Sequence, residues 1–433
     1  MSKAEEMKLH IKVVMNKQKT KVLFAEAASD FTDVLLSFLL LPLGTILKVM
    51  EKQYGDKAPV IGSLSTLYNG VVNLDNIHFQ SEAAKQSLLF PASCYESEAR
   101  KLRLNVNYPQ PTSPSSRKAY DGVYTDCASS FIISDDLQVM PNVAGSFMKT
   151  LSSLGIAVAD MDGAETKNVT FGLNEILALL RGSMVSRNPL TALLCGSQIG
   201  LASGKSGLGN AILQVDPKVM SKNTKKMILK VVVLKSNNKL LFAQADCDFI
   251  NFLFGMLTVP IGRIEWYFGS NTGLKSVDNL HRSIADESKK LHLKSADIKG
   301  LLIKSTVPTN FPITSNEFSH LNFDPDAKNH HVKGVRMYMV SNDLTVAPLA
   351  MTSCLYVINE LKVSVSDVEE VELQVGLEEG LSILKAALTS TTALTDGLIK
   401  HISKSRASLT SNSAITDGLV NQMTLMKRPK LEC

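Results

Sequence analysis

Residues 196–210, GSQIGLASGKSGLGN, have the look of a loop that cradles nucleotide phosphates. Such a loop, G-x-x-x-x-G-K-[ST], needs four residues between its glycines, so that successive amides wrap the phosphates while the lysine reaches them from a helix start. Gly204, Lys205 and Ser206 meet the end of that pattern, but the first glycine position holds Ile199, and Gly200 lies one residue too close. An apolar helix pattern rather than a buried strand precedes the stretch, so it reads as a linker.

A second cluster, HLNFDPDAKNHH, gathers His320, Asp324, Asp326, His330 and His331. Imidazole with carboxylate is metal-site chemistry. The spacing fits no known ligand pattern, and the matching loop earlier in the chain has no histidine, so a solvated loop is expected. Neither a G-x-S-x-G elbow nor a flanked catalytic cysteine is present. Glu26 could serve as a base, but its counterpart later in the chain is Gln244. Asp30 and Asp33 stand where a helix begins and are expected to cap it. The sequence therefore assigns no catalytic residue, no cofactor-binding residue and no metal ligand, expects no cofactor, and leans away from an enzyme.

These residues must be positioned by a chain of 433 residues, long enough for more than one domain, with 45% hydrophobic and 20% charged residues. A formal charge of +5 is too small to make nucleic acid the expected partner. Cys94, Cys127, Cys195, Cys247, Cys354 and Cys433 form no C-x-x-C pair, which points to reduced thiols in the cytoplasm. The charged opening MSKAEEMKLH lacks the apolar core of a secretion signal. The basic MKRPK near the end is a weaker pointer to the nucleus.

The chain is a tandem repeat. KVLFAEAASDFTDVLLSFLLLPLGTI (21–46) aligns without a gap on KLLFAQADCDFINFLFGMLTVPIGRI (239–264). NGVVNL (69–74) is matched to KSVDNL (275–280), and FIISDDLQVMP (131–141) to YMVSNDLTVAP (338–348). Each copy closes alike, with residues 169–194 matching 373–398. The expected division is a first repeat domain over 1–195, a Gly/Ser/Lys linker over 196–225, a second repeat domain over 226–400 and a Ser/Thr-rich tail over 401–433. In that tail AITDGL (414–419) echoes ALTDGL (393–398); a mobile remnant of duplication is expected there, with weak docking onto the groove that suits its twin as the alternative.

The F-A-E-A-x-x-D-F opening, the L-P-L-G after it, the S-D-D-L-x-V-x-P block and the closing L-T-x-x-L together resemble the plant domain-of-unknown-function 674 family. The resemblance runs over nearly the whole chain, twice. It implies a plant source and brings no activity, substrate or cofactor. Some relatives carry a cysteine-rich insertion in the first copy, whereas NYPQPTSPSSRKAYDG (107–122) has no cysteine.

Local patterns complete the expectation. Leu9, Ile11, Val13 and Met15 alternate with polar residues as one strand of a hairpin, KVLFA returns as its partner, and MILKVVVLKSNNKLLFA repeats the unit. The following helix should stop or kink at Pro42 and Gly44. The apolar run over 34–47 is too short for a bilayer and is broken by Pro42, so twin buried helices are expected. Each copy is thus α+β: a hairpin, helices, a further strand or two, and a closing helix. The function this favours is a noncatalytic binding or scaffold protein of two homologous domains, its partner a protein, with no transmembrane segment. The alternatives are an enzyme of unrecognised class with a site between the repeats, and a peripheral membrane protein using residues 34–47.

Overall fold

The alternation that opens each copy becomes the centre of a sheet. In the computed structural model, which describes residues 8–91, 123–127, 129–196, 226–287, 291–305, 330–334, 336–404 and 406, strands β1 (Leu9–Met15) and β2 (Val22–Ala28) pair antiparallel with Val13 opposite Ala25. Strands β6 (Met227–Leu234) and β7 (Leu240–Ala245) repeat this with Val231 opposite Ala243. The pairing slips between Val14 and Met15 in one hairpin and between Val232 and Val233 in the other, the same place in the repeat.

Three further strands complete each sheet. Copy one adds β3 (Ser130–Ser134), β4 (Val139–Pro141) and β5 (Glu165–Phe171), in the order β4-β3-β2-β1-β5. Copy two adds β8 (Tyr338–Ser341), β9 (Val346–Pro348) and β10 (Val368–Val375), in the order β10-β6-β7-β8-β9. The chain is α+β with two tandem homologous domains, and the third extra strand of each, β5 and β10, adds to the sequence reading. Between β3 and β4, and between β8 and β9, the S-[DN]-D-L turns put Leu137 (φ 62°) and Leu344 (φ 66°) into the left-handed region. Both leucines are wholly buried, so packing holds a conformation the side chain disfavours.

After each hairpin come α1 (Ser29–Ser37) in copy one and α8 (Cys247–Gly255) in copy two, each followed by one 3-10 turn. The expected caps are corrected here. The N-cap positions belong to Ala28 and Asp246, not to Asp30 and Asp248. Asp246 accepts from the amides of Asp248 and Phe249, whereas Ala28 has no side-chain bond to offer. Pro42 and Pro260 do not kink these helices. Each ends the first segment and serves as N-cap of the next, α2 (Leu43–Tyr54) or α9 (Ile261–Tyr267).

The two prolines meet. Pro42 and Pro260 form an antiparallel bridge in which the Leu43 amide donates to Val259 O at 3.1 Å and the Ile261 amide to Leu41 O at 3.0 Å. The glycines two residues on make the approach possible. A Cβ on Gly44 would lie 2.6 Å from Leu88 O, and one on Gly262 2.8 Å from Leu39 O. The repeated L-P-L-G and V-P-I-G motifs are therefore the two halves of one pseudo-twofold junction.

Around this junction the copies exchange helices. α3 (Leu64–Asn73) of copy one packs against α8 and β9 of copy two, and α10 (Lys275–Ala285) of copy two packs against β4 of copy one and its α6 (Leu173–Val185). Ser63 Oγ donates to Ser390 O at 2.7 Å, and Ser276 Oγ donates to Ser186 O at 3.0 Å. Thr66 bonds Asp343 O, and Asn279 Nδ2 bonds Asp136 O. These reciprocal bonds equate Ser63 with Ser276, which moves the expected match of NGVVNL to KSVDNL by seven residues. Seven residues are nearly two helical turns, so the apolar stripe fits either alignment and periodicity cannot choose between them.

The strands after the exchanged helices interlock as well. Phe79 bridges Val332, and Thr125 bridges Leu293. One apolar core runs through both copies. The opposite face of each sheet is covered by one helix, α5 (Phe147–Ser153) or α12 (Met351–Glu360), over a small separate cluster. A helix α13 (Leu377–Thr389) and one that begins at residue 393 close copy two.

Candidate functional site

The polar residues that repeat between the copies are tied to backbone. Asp33 is buried on α1 and accepts from the amides of Val123, Tyr124 (3.1 Å) and Thr125 (2.9 Å) and from the Thr125 hydroxyl (2.8 Å). Its counterpart Asn251 accepts from the amides of His331 (2.7 Å) and Val332 (3.1 Å) through Oδ1, while its Nδ2 lies 3.2 Å from His330 Nδ1. These are the two chain segments that carry the inter-copy bridges. Asp135 of the S-D-D-L turn accepts from the Thr191 amide (2.8 Å) and hydroxyl (2.6 Å), and Thr191 Oγ1 in turn accepts from the Val22 amide (2.8 Å). Asn342, Thr395 and the Leu240 amide repeat the arrangement. Glu175 and Glu379 close the first turn of α6 and α13 by accepting from the amides of Gly172 and Gly376.

One cluster has no counterpart in copy one. Where α2 carries the buried Leu47, α9 carries Glu265, wholly buried and facing α10. Thr272 Oγ1 lies 2.9 Å from Glu265 Oε1 and 2.7 Å from Asp278 Oδ1, and accepts from the Leu274 amide at 3.2 Å. Asp278 also accepts from the amides of Thr272 (2.8 Å) and Gly273 (3.3 Å). Glu265 Oε2 is buried with no hydrogen-bond partner. Burial, and then the charge of Asp278, push the Glu265 carboxyl well above the usual glutamate range. Beside it Ser270 Oγ and His281 Nδ1 are 2.7 Å apart, and His281 Nε2 faces Ile303 O at 3.3 Å. Burial lowers His281 to about 4, so the imidazole is neutral and its Nε2 hydrogen points at the carbonyl.

A family model described as a protein of unknown function, DUF674, matches residues 5–115, 110–323 and 313–427. The chain belongs to that family. The breaks between matched segments fall at corresponding places in the two copies, ahead of the β3 and β8 strands. No curated protein and no solved structure matches the chain.

Within this DUF674 protein only some of the residues singled out by sequence chemistry are described. The glycine stretch, apart from Gly196, and the histidine loop, apart from His330 and His331, lie outside the described residues. His331 is not in solvent as expected of a surface loop. It is buried and lowered to about 4 by that burial. Glu26 lies half-buried on β2 opposite Lys12. Among the described residues no three His, Cys, Asp or Glu side chains gather as a metal would require, and no helix is long and apolar enough to cross a membrane. Residues 34–47 are buried throughout at the junction. Sequence reasoning missed the Glu265 cluster, whose one signal was a glutamate standing where the first copy has leucine.

The surface carries a repeated feature instead. On the helix and 3-10 turn over the back of each sheet, Met148 and Leu355 stand at matching positions and are 59% and 54% exposed, and Val158 and Val365 are 59% and 70% exposed. Phe147, Met351 and Tyr356 on the same two helices are exposed too. Each helix meanwhile packs inward, Leu151 beside Phe24 and Ile132, Cys354 beside Phe242 and Met339.

Proposed function

We propose that the protein is a noncatalytic binding or scaffold protein, and that α5 and α12 are the paired surfaces it offers to a protein partner in the cytoplasm. The observation that carries this reading is the repeated exposure of large apolar side chains at matching positions of helices already packed on their other side. Leaving such groups in water gains a monomer nothing, and exposed apolar patches mark interaction sites. The repeated Asp33/Asn251 and Asp135/Asn342 positions support the same reading, because each accepts from backbone amides. Four free thiols among the described residues suit a reducing compartment.

The test compares the full chain with a variant carrying Met148→Ser, Val158→Ser, Leu355→Ser and Val365→Ser. Exposed positions tolerate such changes within about 0.5 kcal/mol each, so the thermal midpoint should hold. Proteins captured by the wild-type chain from its source tissue should be lost from the variant. Capture of the same proteins in the same amounts by both chains would refute the reading.

A further inference from the structure

We propose that Glu265 and Asp278 share one proton through the Thr272 hydroxyl, and that loss of this proton as pH rises releases the exchanged helix α10 from copy one. The geometry sets the proton count. Thr272 Oγ1 contacts a carboxyl oxygen on each side, yet a hydroxyl has a single hydrogen to donate. One carboxyl must therefore supply the other hydrogen. Asp278 accepts from two backbone amides and the hydroxyl, as a carboxylate does, whereas Glu265 receives no donor at Oε2. The proton belongs on Glu265: its O–H donates to Thr272 Oγ1, whose O–H donates to Asp278 Oδ1.

The ionisable neighbours do not replace that proton. On α10, Arg282 spends its two terminal nitrogens on Asn279 Oδ1 and Ser270 O, each at 2.7 Å, and His281 is neutral above about pH 4. Arg263, on the same helix as Glu265, lies over the Trp266 and Tyr267 rings, and Lys304, after α11 (Ala296–Ile303), lies 4.2 Å from the centre of Trp266. From α13, Lys385 approaches Phe268 at 5.7 Å and also faces Asp278 and Glu265; burial lowers it more than those two carboxyls raise it, so its charge offsets theirs only in part. When Glu265 ionises, two carboxylates face one hydroxyl hydrogen in a buried setting, and α9 and α10 repel. The next residue after Asp278 is Asn279, which holds Asp136 O, and the same helix grips copy one through Ser276, through Ser283 bonded to the Val139 amide at 2.9 Å, and through the Lys275–Asp136 ion pair at 3.0 Å. Repulsion at Asp278 thus acts on the contacts that keep the copies interlocked.

The sign follows from proton uptake. Glu265 binds its proton more tightly folded than unfolded, so its contribution is complete below the ordinary glutamate range and is lost as pH rises toward the folded value. Over that window the unfolding equilibrium constant rises about tenfold per pH unit.

The experiment uses the full chain as wild type, Glu265→Gln and Asp278→Asn. Glutamine keeps a donor toward Thr272 and cannot ionise. Between about pH 6 and about pH 9, amide protection of α10 and of the Val139 amide, corrected for intrinsic exchange, should fall at least about tenfold in the wild type and stay level in Glu265→Gln. The infrared spectrum at neutral pH should show a protonated-carboxyl band in the wild type that Glu265→Gln lacks. If Glu265→Gln does not fold, Asp278→Asn carries the test: without the second charge the loss with rising pH should be smaller than in the wild type, the remainder being the burial of Glu265, and a loss as large as in the wild type would overturn the proposal. Absence of the band, equal loss of protection in wild type and variant, or loss spread evenly over the whole chain would each overturn the proposal.

Discussion

Copy one answers its buried backbone amides with carboxylates, Asp33 and Asp135, where copy two uses the amides Asn251 and Asn342. Copy two in turn puts the carboxyl of Glu265 where copy one has Leu47. The same backbone therefore needs an oxygen acceptor at the first two places, which a neutral amide also supplies, although Asp33 accepts from three amides and a hydroxyl where Asn251 accepts from two amides. A charge that can be exchanged for an amide within one molecule belongs to architecture. Glu265, which replaces a hydrocarbon, has no such excuse, and it sits where it bears on the grip between copies.

The sharpest way to break this comparison is to remove the acceptor itself. Asp33→Ala removes the shared acceptor of three amides and a hydroxyl and should cost about 3–5 kcal/mol in denaturant unfolding at neutral pH. Asn251→Ala orphans two amides and should cost about 2–3 kcal/mol. Equal losses would mean that the carboxylate adds nothing to what the amide supplies.

Much of this frame was legible in the sequence, because hairpins and tight junctions impose strict local demands. The alternation of Leu9, Ile11 and Val13 and the shared proline and glycine spacing give the hairpins and the junction. What escaped was whatever local pattern underdetermines. β5 is an edge strand with mostly exposed side chains, so ETKNVTF shows no two-residue period. β10 does show one, in Val371, Leu373 and Val375, and was open to reading. The helix exchange is invisible to periodicity because a slip of two turns preserves the apolar face. Asp33 looks like a cap from its place in the chain, yet its partners lie some ninety residues away.

The junction glycines sharpen the comparison at a middle scale. A methyl at Gly44 meets one carbonyl oxygen at 2.6 Å and another at 3.1 Å, whereas at Gly262 two lie at 2.8 and 2.9 Å with Ser305 Oγ at 3.0 Å. Gly44→Ala, whose methyl also meets Pro91 Cγ at 3.1 Å, and Gly262→Ala should each cost about 1–3 kcal/mol, with Gly262 the more costly because two backbone carbonyls rather than one lie under 3.0 Å. Chemical denaturation of both variants checks the ranking.

The smallest effect separates the copies most cleanly. Thr191→Val and Thr395→Val each take the acceptor from the first amide of a hairpin strand, Val22 at 2.8 Å and Leu240 at 3.2 Å, and should cost about 1–2 kcal/mol. Only Thr191 also donates its hydroxyl to a carboxylate, at 2.6 Å. Burial already raises Asp135, and the Thr191 hydroxyl is the first of the bonds that oppose that rise. Without it Asp135 binds its proton still more tightly when folded, so the folded state holds more protons than the unfolded one over a wider range. The Thr191→Val deficit should therefore be full at neutral pH and shrink as pH falls toward the ordinary aspartate range, while the Thr395→Val deficit, facing the neutral Asn342, stays level. Unfolding free energies measured at several pH values across that range decide it, and two parallel curves would show that the Asp135 charge does not distinguish copy one.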